Sequence, residues 1–366
     1  MRCLCGFLSI GLLALVLGCG EEPESKQQKE PPPPPDTSGV DAMNIYRDLM
    51  GLPEVKLDLR LQAAAQAHVD YYLTNINVNE ECAGPNISPH EEVPGCPGFT
   101  GAAPWDRAEA AGYTSGSVGE CIHFVNDPDR AVYEWLESVY HRFCIAAPEV
   151  ARAGYAGGKK PVDGSMIDVL DVGGAAGIDL SYIARWPVPG ADDVPKAWDG
   201  AEIPTPPSPP EGFPSGPIIS VIYAPSDTVH ITSATLTYRS HEVPSVFLSP
   251  DNDPNLQGSN GYFIYAYKPL LELREYTVRF TGTRDGYPYE DSWSFFVPCD
   301  RSPRDEGRAC NGNTLLSCDI NDPVETDCGD MICLEYASGA RCVEGPLTPC
   351  TEPEGTFLRC EGNKLI

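Results

Sequence analysis

Basic residues are scarce in this 366-residue chain, which has 25 Lys and Arg against 53 Asp and Glu and a formal net charge of −28. Binding to nucleic acid depends on basic patches that neutralise phosphates, so the sequence argues against a nucleic-acid partner. The acidic excess suits a solvated protein outside the cytoplasm. Acidic side chains on surface loops could also hold Ca²⁺.

Common catalytic signatures are missing as well. The chain has no GxSxG, HExxH or Walker pattern. The motif His90-Glu91-Glu92 does not qualify as HExxH, because position 94 is proline. No two cysteines have CxxC spacing, so zinc-ribbon and thioredoxin interpretations have little support. These absences leave open whether the protein is an enzyme.

The N-terminal apolar run is too short to span a bilayer as a mature helix, since it extends only from Leu8 to Leu17. It ends in Val16-Leu17-Gly18-Cys19, which resembles a bacterial lipobox. That resemblance implies a signal peptide at 1–18 and a lipid anchor on Cys19 that attaches the protein to a membrane. Gly20 favours sorting to the outer membrane or cell surface. The alternative is an ordinary secretory signal.

The cysteine count fits export. Of 15 cysteines, two precede the lipobox and one is the expected anchor, which leaves twelve. An even number in an exported chain predicts disulfides. Cys82 and Cys96 flank His90, so a bond between them could staple a long loop that is rich in glycine and proline.

Changes in composition divide the chain into segments. Residues 187–217 contain ten prolines and are expected to form a semi-rigid linker. The predicted segments are a signal peptide at 1–18, a Pro-rich tether at 19–40, a first domain at 41–186, the linker at 187–217, a β-sandwich at 218–297 and Cys-rich repeats at 298–366.

The first domain shows helical periodicity. In a helix from about Asp58 to Asn75, His68 lies within the apolar stripe, and we interpret it as a buried, hydrogen-bonded residue rather than a ligand. Asp127-Pro128 is a helix start, with proline at the first helical position. In the helix that follows, Glu134, Glu137 and His141 would share one face, which spacing alone assigns to solvent.

The remainder of the chain has β and disulfide patterns. Six short strand-like runs lie between 218 and 297, and Tyr276 resembles the tyrosine corner of immunoglobulin-like sandwiches. Further on, Cys310-Asn-Gly-Asn-Thr-Leu-Leu recurs as Cys360-Glu-Gly-Asn-Lys-Leu-Ile. The next cysteine of the second copy would fall beyond position 366, so we expect that copy to be incomplete.

Six motifs between residues 41 and 186 resemble, in order, those of the CAP superfamily (cysteine-rich secretory proteins, antigen 5 and pathogenesis-related proteins), particularly its bacterial secreted branch. They are Asn44-Ile-Tyr-Arg47 with Met50-Gly-Leu-Pro53, Leu61 to His68, Pro97-Gly-Phe-Thr-Gly101, Asp106-Arg107 with Ala110-Ala-Gly-Tyr113, Val118-Gly-Glu120, and Trp135-Leu-Glu-Ser138 with His141-Arg142. The resemblance implies an α+β fold, specifically an α-β-α sandwich.

Family members often have a cleft with two histidines and two acidic residues, sometimes with a divalent metal. Carried over by motif, His90 and His141 are the histidines and the tentative metal ligands, and Glu120 is the first acid and the candidate catalytic residue. The second acid has no motif match, and Glu137 is the best candidate. Zn²⁺ or another divalent metal would suit two imidazoles.

Two departures from the family pattern bear on this cleft. The asparagine that follows the family's Gly-Glu is Cys121 here, and Val139-Tyr140 replaces the usual Pro-Gly. The resemblance suggests that a disulfide from Cys121 to Cys144 takes over the role of the missing asparagine in holding the loop.

Three functions are consistent with this sequence. The first is an envelope lipoprotein whose cleft binds a lipid, peptide, glycan or metal, or a surface partner, without turnover; the appended modules favour it. The second is a metal-assisted hydrolase, such as a peptidase, in which His90, His141 and Glu120 arrange metal and water. The third is a structural or adhesive surface protein with a vestigial cleft.

Overall fold

The computed structural model describes residues 36–174 and 180–299, and it describes strand segments between 308 and 365. The expected signal peptide, the anchor at Cys19 and most of the tether at 19–40 lie outside the described residues. No described helix is long and apolar enough to cross a membrane.

The first domain alternates helices with the strands of a single sheet. Its elements are α1 (Ser38–Leu49), β1 (Lys56–Leu57), α2 (Leu59–Asn75), α3 (Glu80–Ala83), α4 (Pro104–Ala110), β2 (Val118–His123), α5 (Pro128–Leu136), α6 (Arg142–Ala146), β3 (Arg152–Lys159) and β4 (Met166–Gly173).

The sheet order is β1-β3-β4-β2, with β1 parallel to β3 and the other pairs antiparallel. Alternating side chains of β3 and β4 point to opposite faces. Tyr155 and Leu170 face α1, α5 and α6, whereas Ala156 and Val169 face α2. The predicted α-β-α sandwich is therefore confirmed.

Local helix signals agree with the structure in part. Asp127 caps α5 through its side chain, and Pro128 is the first helical residue, as predicted. In α1 the i, i+4 spacing of Ile45 and Leu49 predicts an apolar buried face, but both residues are exposed and the buried face carries Met43 and Arg47. The buried arginine explains the shift of the face, since its charge has backbone partners in the core.

The helix predicted to continue from α5 to His141 is interrupted. Helix α5 ends at Leu136, and α6 begins at Arg142. Between them, the backbone N–H groups of residues 139–141 donate to the carboxylate of Glu202 instead of continuing a helical hydrogen-bond ladder. The predicted shared face of Glu134, Glu137 and His141 therefore does not form.

Two four-stranded antiparallel sheets form the second domain and pack face to face around an apolar core. The sheets have the orders β5-β6-β10-β9 and β12-β11-β7-β8. Their strands are β5 (Ile183–Trp186), β6 (Ile219–Tyr223), β7 (Val229–Tyr238), β8 (His241–Val243), β9 (Ser245–Leu248), β10 (Gly261–Ala266), β11 (Arg274–Arg284) and β12 (Tyr287–Val297), with a 3-10 turn at Pro254–Leu256.

Tyr276 makes the corner contact that its sequence context predicted, because its hydroxyl donates to the carbonyl of Leu271 at 3.2 Å and accepts from the Leu271 N–H at 2.9 Å. Strand β5, which was expected to close the first domain, instead pairs with β6 of the sandwich. Its apolar alternation predicts a strand but does not specify which neighbour it pairs with.

The proline-rich stretch 187–217 is packed against both domains and does not act as a spacer. Val194 belongs to the sandwich core, and Trp198 belongs to the core shared by the two domains. Trp198 and Ser215 form a β-bridge within the stretch. Proline content predicts a stiff backbone, but it does not reveal these buried side chains.

The sandwich also contacts helix α6 directly. Arg142, which is fully buried, donates from Nη1 to the Ser220 hydroxyl at 2.8 Å. The rings of Phe143 and Phe263 meet edge to face with centroids 5.7 Å apart. The sandwich domain therefore supports the helix that follows His141.

Three described disulfides link Cys82 to Cys96, Cys121 to Cys144, and Cys328 to Cys342. The first two agree with the predicted pairs. The described strands of the last region are β13 (Arg308–Asn311), β14 (Thr314–Cys318), β15 (Pro323–Asp327), β16 (Met331–Tyr336), β17 (Gly339–Glu344), β18 (Cys360–Glu361) and β19 (Lys364–Leu365).

The repeated motif near the C-terminus forms the same hairpin twice. Cys310 pairs with Leu315 across β13 and β14, and Cys360 pairs with Leu365 across β18 and β19. Equivalent residues of the two copies thus hold equivalent positions in the two hairpins.

Candidate functional site

An open cavity of about 410 Å³ lies at the end of the first domain's sheet, between β2, β4, α6 and the proline-rich stretch. His90, Glu120 and His141 all contribute to its lining, so the structure brings the three predicted residues together. The other lining residues are Ser117, Val118, Gly119, Cys121, Tyr140, Phe143, Cys144, Ala147, Glu149, Val150, Val172, Gly173, Gly174, Ile203 and Pro204.

His90 reaches the cavity from the loop stapled by the Cys82–Cys96 disulfide. Its Nδ1 lies 2.8 Å from Oε1 of Glu120, and its side chain is 37% exposed. The Glu120 side chain is completely buried, and its Oε2 accepts a 2.6 Å bond from Nη2 of Arg107. Arg107 also donates to the His90 carbonyl at 3.0 Å, which fixes the loop.

Glu120 is held as an anion. Burial alone would raise its pKa, but the hydrogen bond from His90 and the positive charge of Arg107 outweigh burial, and the pKa lies below its ordinary value of 4.5. A carboxylate oxygen without a proton can only accept a hydrogen bond. The Nδ1 of His90 is therefore the donor in this pair.

His141 has a parallel arrangement, with an acid that the sequence analysis missed. Its Nδ1 lies 2.9 Å from Oε1 of Glu202, whose side chain is buried. Burial raises the pKa of Glu202, but the hydrogen bond from His141, together with backbone N–H donors, brings the pKa below its ordinary value. The Nδ1 of His141 is therefore a donor as well.

Glu202 lies in the middle of the predicted linker, outside every motif used to define the cleft. A sequence feature does accompany it: Trp198 is a large apolar residue in a stretch interpreted as solvated. Such a residue indicates packing rather than spacing. It could have marked this acid as part of a buried contact.

Glu137, predicted as the second acid, is buried away from the cavity. Its Oε1 accepts a 2.9 Å hydrogen bond from Nε1 of Trp186. Burial raises the pKa of Glu137, and the positive charge of Arg142 opposes the rise. Because α5 ends at Leu136, this side chain does not point in the direction that a continuous helix would give it.

His68 is buried and hydrogen-bonded, as predicted. Its Nε2 lies 2.7 Å from the carbonyl of Pro89, and its Nδ1 lies 3.0 Å from Oε1 of Glu92. Glu92 also accepts from the backbone N–H groups of Thr100 and Gly101. This network ties helix α2 to both sides of the His90 loop.

Asp171 lies beneath Glu120, as its partner across β2 and β4. It is fully buried, and neither carboxyl oxygen has a hydrogen-bond partner of standard geometry among the described residues. Burial and the negative charge of Glu120 raise the pKa of Asp171 well above its ordinary 3.8. The folded protein therefore keeps Asp171 protonated where the unfolded chain would ionise it.

Replacing Asp171 with asparagine should raise the free energy of unfolding at neutral pH. A group whose pKa is raised by folding contributes fully to the free energy of unfolding below its unfolded pKa, here 3.8. That contribution is lost as the pH rises toward the folded pKa. Asparagine has no proton to lose, so the gain should grow as the pH rises from the unfolded value of 3.8 toward neutral pH. Urea denaturation across this range measures it.

Asp168, on the same strand and equally buried, is the matched control. Its carboxylate accepts from the backbone N–H groups of Val125, Asn126 and Asp127 and from the Tyr155 hydroxyl. Asp168→Asn removes acceptors that these donors need and should lower stability by about 1–3 kcal/mol. Equal effects of the two substitutions would contradict the assignment of a protonated Asp171.

The remaining nitrogens of the two histidines are available to the cavity. Neither Nε2 has a hydrogen-bond partner among the described residues. In a neutral imidazole whose Nδ1 carries the proton, Nε2 presents a lone pair. Carboxylates that accept from Nδ1 orient metal-binding histidines in just this way. The donor chemistry therefore fits a divalent metal held by His90 and His141.

The two carboxylates that orient the histidines are not free to act as a third ligand for such a metal. Both oxygens of Glu120 are engaged by His90 and Arg107, and those of Glu202 are engaged by residues 139–141. No group of three or more His, Cys, Asp or Glu in the described part of the chain has a metal-binding arrangement. Catalytic zinc sites use three protein ligands, so this site provides fewer.

The fold and this cavity define an α-β-α sandwich with a histidine- and carboxylate-lined cleft. Residues 40–165 match the family model for CAP, the cysteine-rich secretory protein family. This part of the chain is a CAP domain, as the sequence motifs indicated.

More distant comparisons add little. No curated protein matches the chain. Among solved structures, an outer surface protein from Borrelia burgdorferi is similar at 17% identity, covering 37% of this chain and 89% of that protein, with a TM-score of 0.30. A likeness this distant does not inform the function.

Proposed function

We propose that the protein is an exported, envelope-anchored protein whose CAP domain binds a small amphipathic ligand without converting it. The observation that supports this function is the convergence of His90, Glu120 and His141 on one open cavity with apolar walls. A volume of about 410 Å³ lies within the range of small-molecule sites.

The polar part of the ligand is a hydrogen-bond donor or a metal. Glu120 and Glu202 fix the two imidazoles through Nδ1, so two Nε2 lone pairs are directed at the ligand. The carboxylates behind them add negative charge. A hydroxyl or a cation suits this end of the cavity, whereas a carboxylate would meet lone pairs and like charge.

The apolar part of the ligand lies against the opposite lining. Val118, Phe143, Val172 and Ile203 contribute hydrocarbon surface there, and the Cys121–Cys144 disulfide adds to it. Removing apolar surface from water contributes about 25 cal/mol for each Å² buried. Much of the affinity is therefore expected to come from these walls.

Binding without turnover is favoured over metal-assisted hydrolysis because the Glu120 carboxylate is not free to act as a general base. Its side chain is fully buried, and both oxygens accept hydrogen bonds from His90 and Arg107. A general base must reach the proton that it removes. Glu120 is therefore assigned to orient His90, and any divalent metal would be held by His90 and His141 alone.

The proposed location follows from the lipobox and from the disulfides. Disulfides form and persist in oxidising compartments, and three of them join described residues. We place the protein in the bacterial envelope, at the outer membrane or cell surface, attached by a lipid on Cys19.

Binding of dodecanol and of dodecanoate at about pH 8, measured by calorimetry, tests this function. Dodecanol should bind at least about tenfold more tightly, which corresponds to about 1.4 kcal/mol. His90→Ala and His141→Ala should each remove most of this preference. Zn²⁺ should compete with dodecanol, since both would use the same two nitrogens.

His230→Ala is the matched control, because His230 lies on the sandwich surface and is paired with Asp251. It should leave both affinities unchanged. A chain that binds neither the alcohol nor Zn²⁺ would support a vestigial cleft. Cleavage of a peptide library by the Zn²⁺-loaded protein, abolished by Glu120→Gln, would support the hydrolase instead.

A further inference from the structure

We infer that the proline-rich stretch completes the ligand site from outside the matched CAP domain. In this inference Glu202 is a positioning residue for His141, and Ile203 selects the apolar group that the cavity accepts. The second role rests on the proposed function; the first can be tested without any ligand.

Glu202 is placed to determine which nitrogen of His141 carries the proton. One of its oxygens accepts from His141 Nδ1 at 2.9 Å and from the backbone N–H groups of Tyr140 and His141, at 2.7 and 2.9 Å. The other accepts from the Val139 N–H at 2.8 Å. The same carboxylate thus fixes the turn that carries His141 and the tautomer of its ring.

The stretch around Glu202 is anchored on both sides, which keeps the carboxylate in place. Before it, Lys196 pairs with Glu272 at 3.0 Å. The ring of Trp198 meets that of Phe213 edge to face at 5.3 Å. After it, the Tyr265 hydroxyl donates to the carbonyl of Pro207. Glu272 and Tyr265 belong to the sandwich domain, so that domain helps to position His141.

Ile203 follows the buried Glu202 directly yet is 86% exposed, and it lines the cavity together with Pro204. Isoleucine is among the residues most often fully buried in folded proteins. Its place at the open side of the cavity gives an apolar ligand a surface to cover. A longer hydrocarbon chain should reach Ile203, and a short one should not.

The positioning role is tested by recording the tautomer of His141 with long-range ¹H–¹⁵N correlation NMR. The wild type should show the proton on Nδ1. Glu202→Ala should move it toward Nε2, the site preferred in a free histidine side chain, and dodecanol affinity should fall about tenfold. Glu202→Gln keeps an oxygen that can accept from Nδ1 and should retain the wild-type tautomer.

Glu272→Gln is the matched control, because it loosens the other anchor of the stretch without contacting His141. It should leave the His141 tautomer unchanged. If Glu202→Ala is folded by circular dichroism and His141 still carries its proton on Nδ1, the positioning role is wrong. A changed tautomer in a chain that binds no alcohol would uphold this role while overturning the proposed function.

The selecting role is tested with alcohols of two lengths. Ile203→Ser should weaken dodecanol binding about tenfold, in line with loss of a covered aliphatic side chain, and should leave hexanol binding unchanged. Val162→Ser, at a position that is 90% exposed and outside the cavity, should change neither. Equal losses for both alcohols, or no loss for either, would overturn the role of Ile203.

Discussion

Replacing Arg47 with methionine should lower the free energy of unfolding by several kcal/mol. The side chain is completely buried in α1 and donates to the carbonyls of Pro53, Ile145, Ala147 and Val150 at 2.7–3.1 Å. Methionine fills a similar volume but supplies no donor. The substitution therefore leaves four carbonyl groups without this partner.

Two opposing effects decide the size of the change. Burial lowers the pKa of Arg47 to about 10, so methionine relieves a desolvation cost on the order of 3 kcal/mol. Each buried carbonyl left without a donor costs about 1–3 kcal/mol. Three carbonyls are left in that state, since the Ala147 carbonyl still accepts from the Val150 N–H. The lost hydrogen bonds outweigh the relief, and we expect a net loss of about 2–5 kcal/mol.

Urea denaturation with the disulfides intact measures this loss. Arg60→Met is the control, because Arg60 is about half exposed, pairs with the nearby Asp58 and otherwise lies over the Tyr113 ring. It should lower stability by no more than about 1 kcal/mol. Three of the four carbonyls belong to the last turn of α6 or to the residues just after it, where Ala147 and Val150 line the cavity. Dodecanol binding should therefore weaken in Arg47→Met. An Arg47→Met variant as stable as the wild type would show that the hydrogen bonds of Arg47 do not stabilise the fold.

The elements that local chemistry determines could be predicted from the sequence. Asp127-Pro128 begins α5 where predicted, because a side-chain cap and a fixed proline φ act within one turn. The stripe of α2 is buried where its spacing placed it, with His68 inside it. These predictions depend on neighbours within a few residues.

Local sequence does not predict the assembly of the cavity, because the cavity depends on contacts between residues that are distant in sequence. The predicted meeting of His90, Glu120 and His141 came from family motifs and not from spacing. Glu202 could not be found that way, since it lies beyond the matched residues 40–165. The apolar residues keep helical spacing beyond Leu136, yet the helix ends there. The reason is that Glu202 accepts the backbone N–H groups of residues 139–141, which a continuous helix would use itself.

Proline content does not predict whether the proline-rich stretch is solvated or packed, and the reason is physical. Ten prolines restrict backbone dihedrals, and a restricted backbone can be extended in solvent or fixed against a protein surface equally well. The burial of Trp198 and Glu202 selects the second outcome. A fixed backbone loses little entropy when it packs, so proline is well suited to a stretch that must hold one carboxylate in place.

Removing the Cys121–Cys144 disulfide by a double alanine substitution should destabilise the protein by about 3 kcal/mol and weaken ligand binding. The two cysteines are 23 residues apart, and closing a loop of about this length restricts the unfolded chain by roughly that amount. The bond joins β2, next to Glu120, to α6, three residues beyond His141. Both cysteines also line the cavity.

The Cys328–Cys342 bond provides the matched control, with a separation of 14 residues and a place in the last module. Its removal should leave dodecanol affinity unchanged, whereas the Cys121 and Cys144 double variant should lose at least about tenfold. Calorimetric titration and urea denaturation measure the two effects separately. If the double variant loses stability but keeps full affinity, the disulfide stabilises the fold only, and the fixed separation of Glu120 from His141 does not matter for binding.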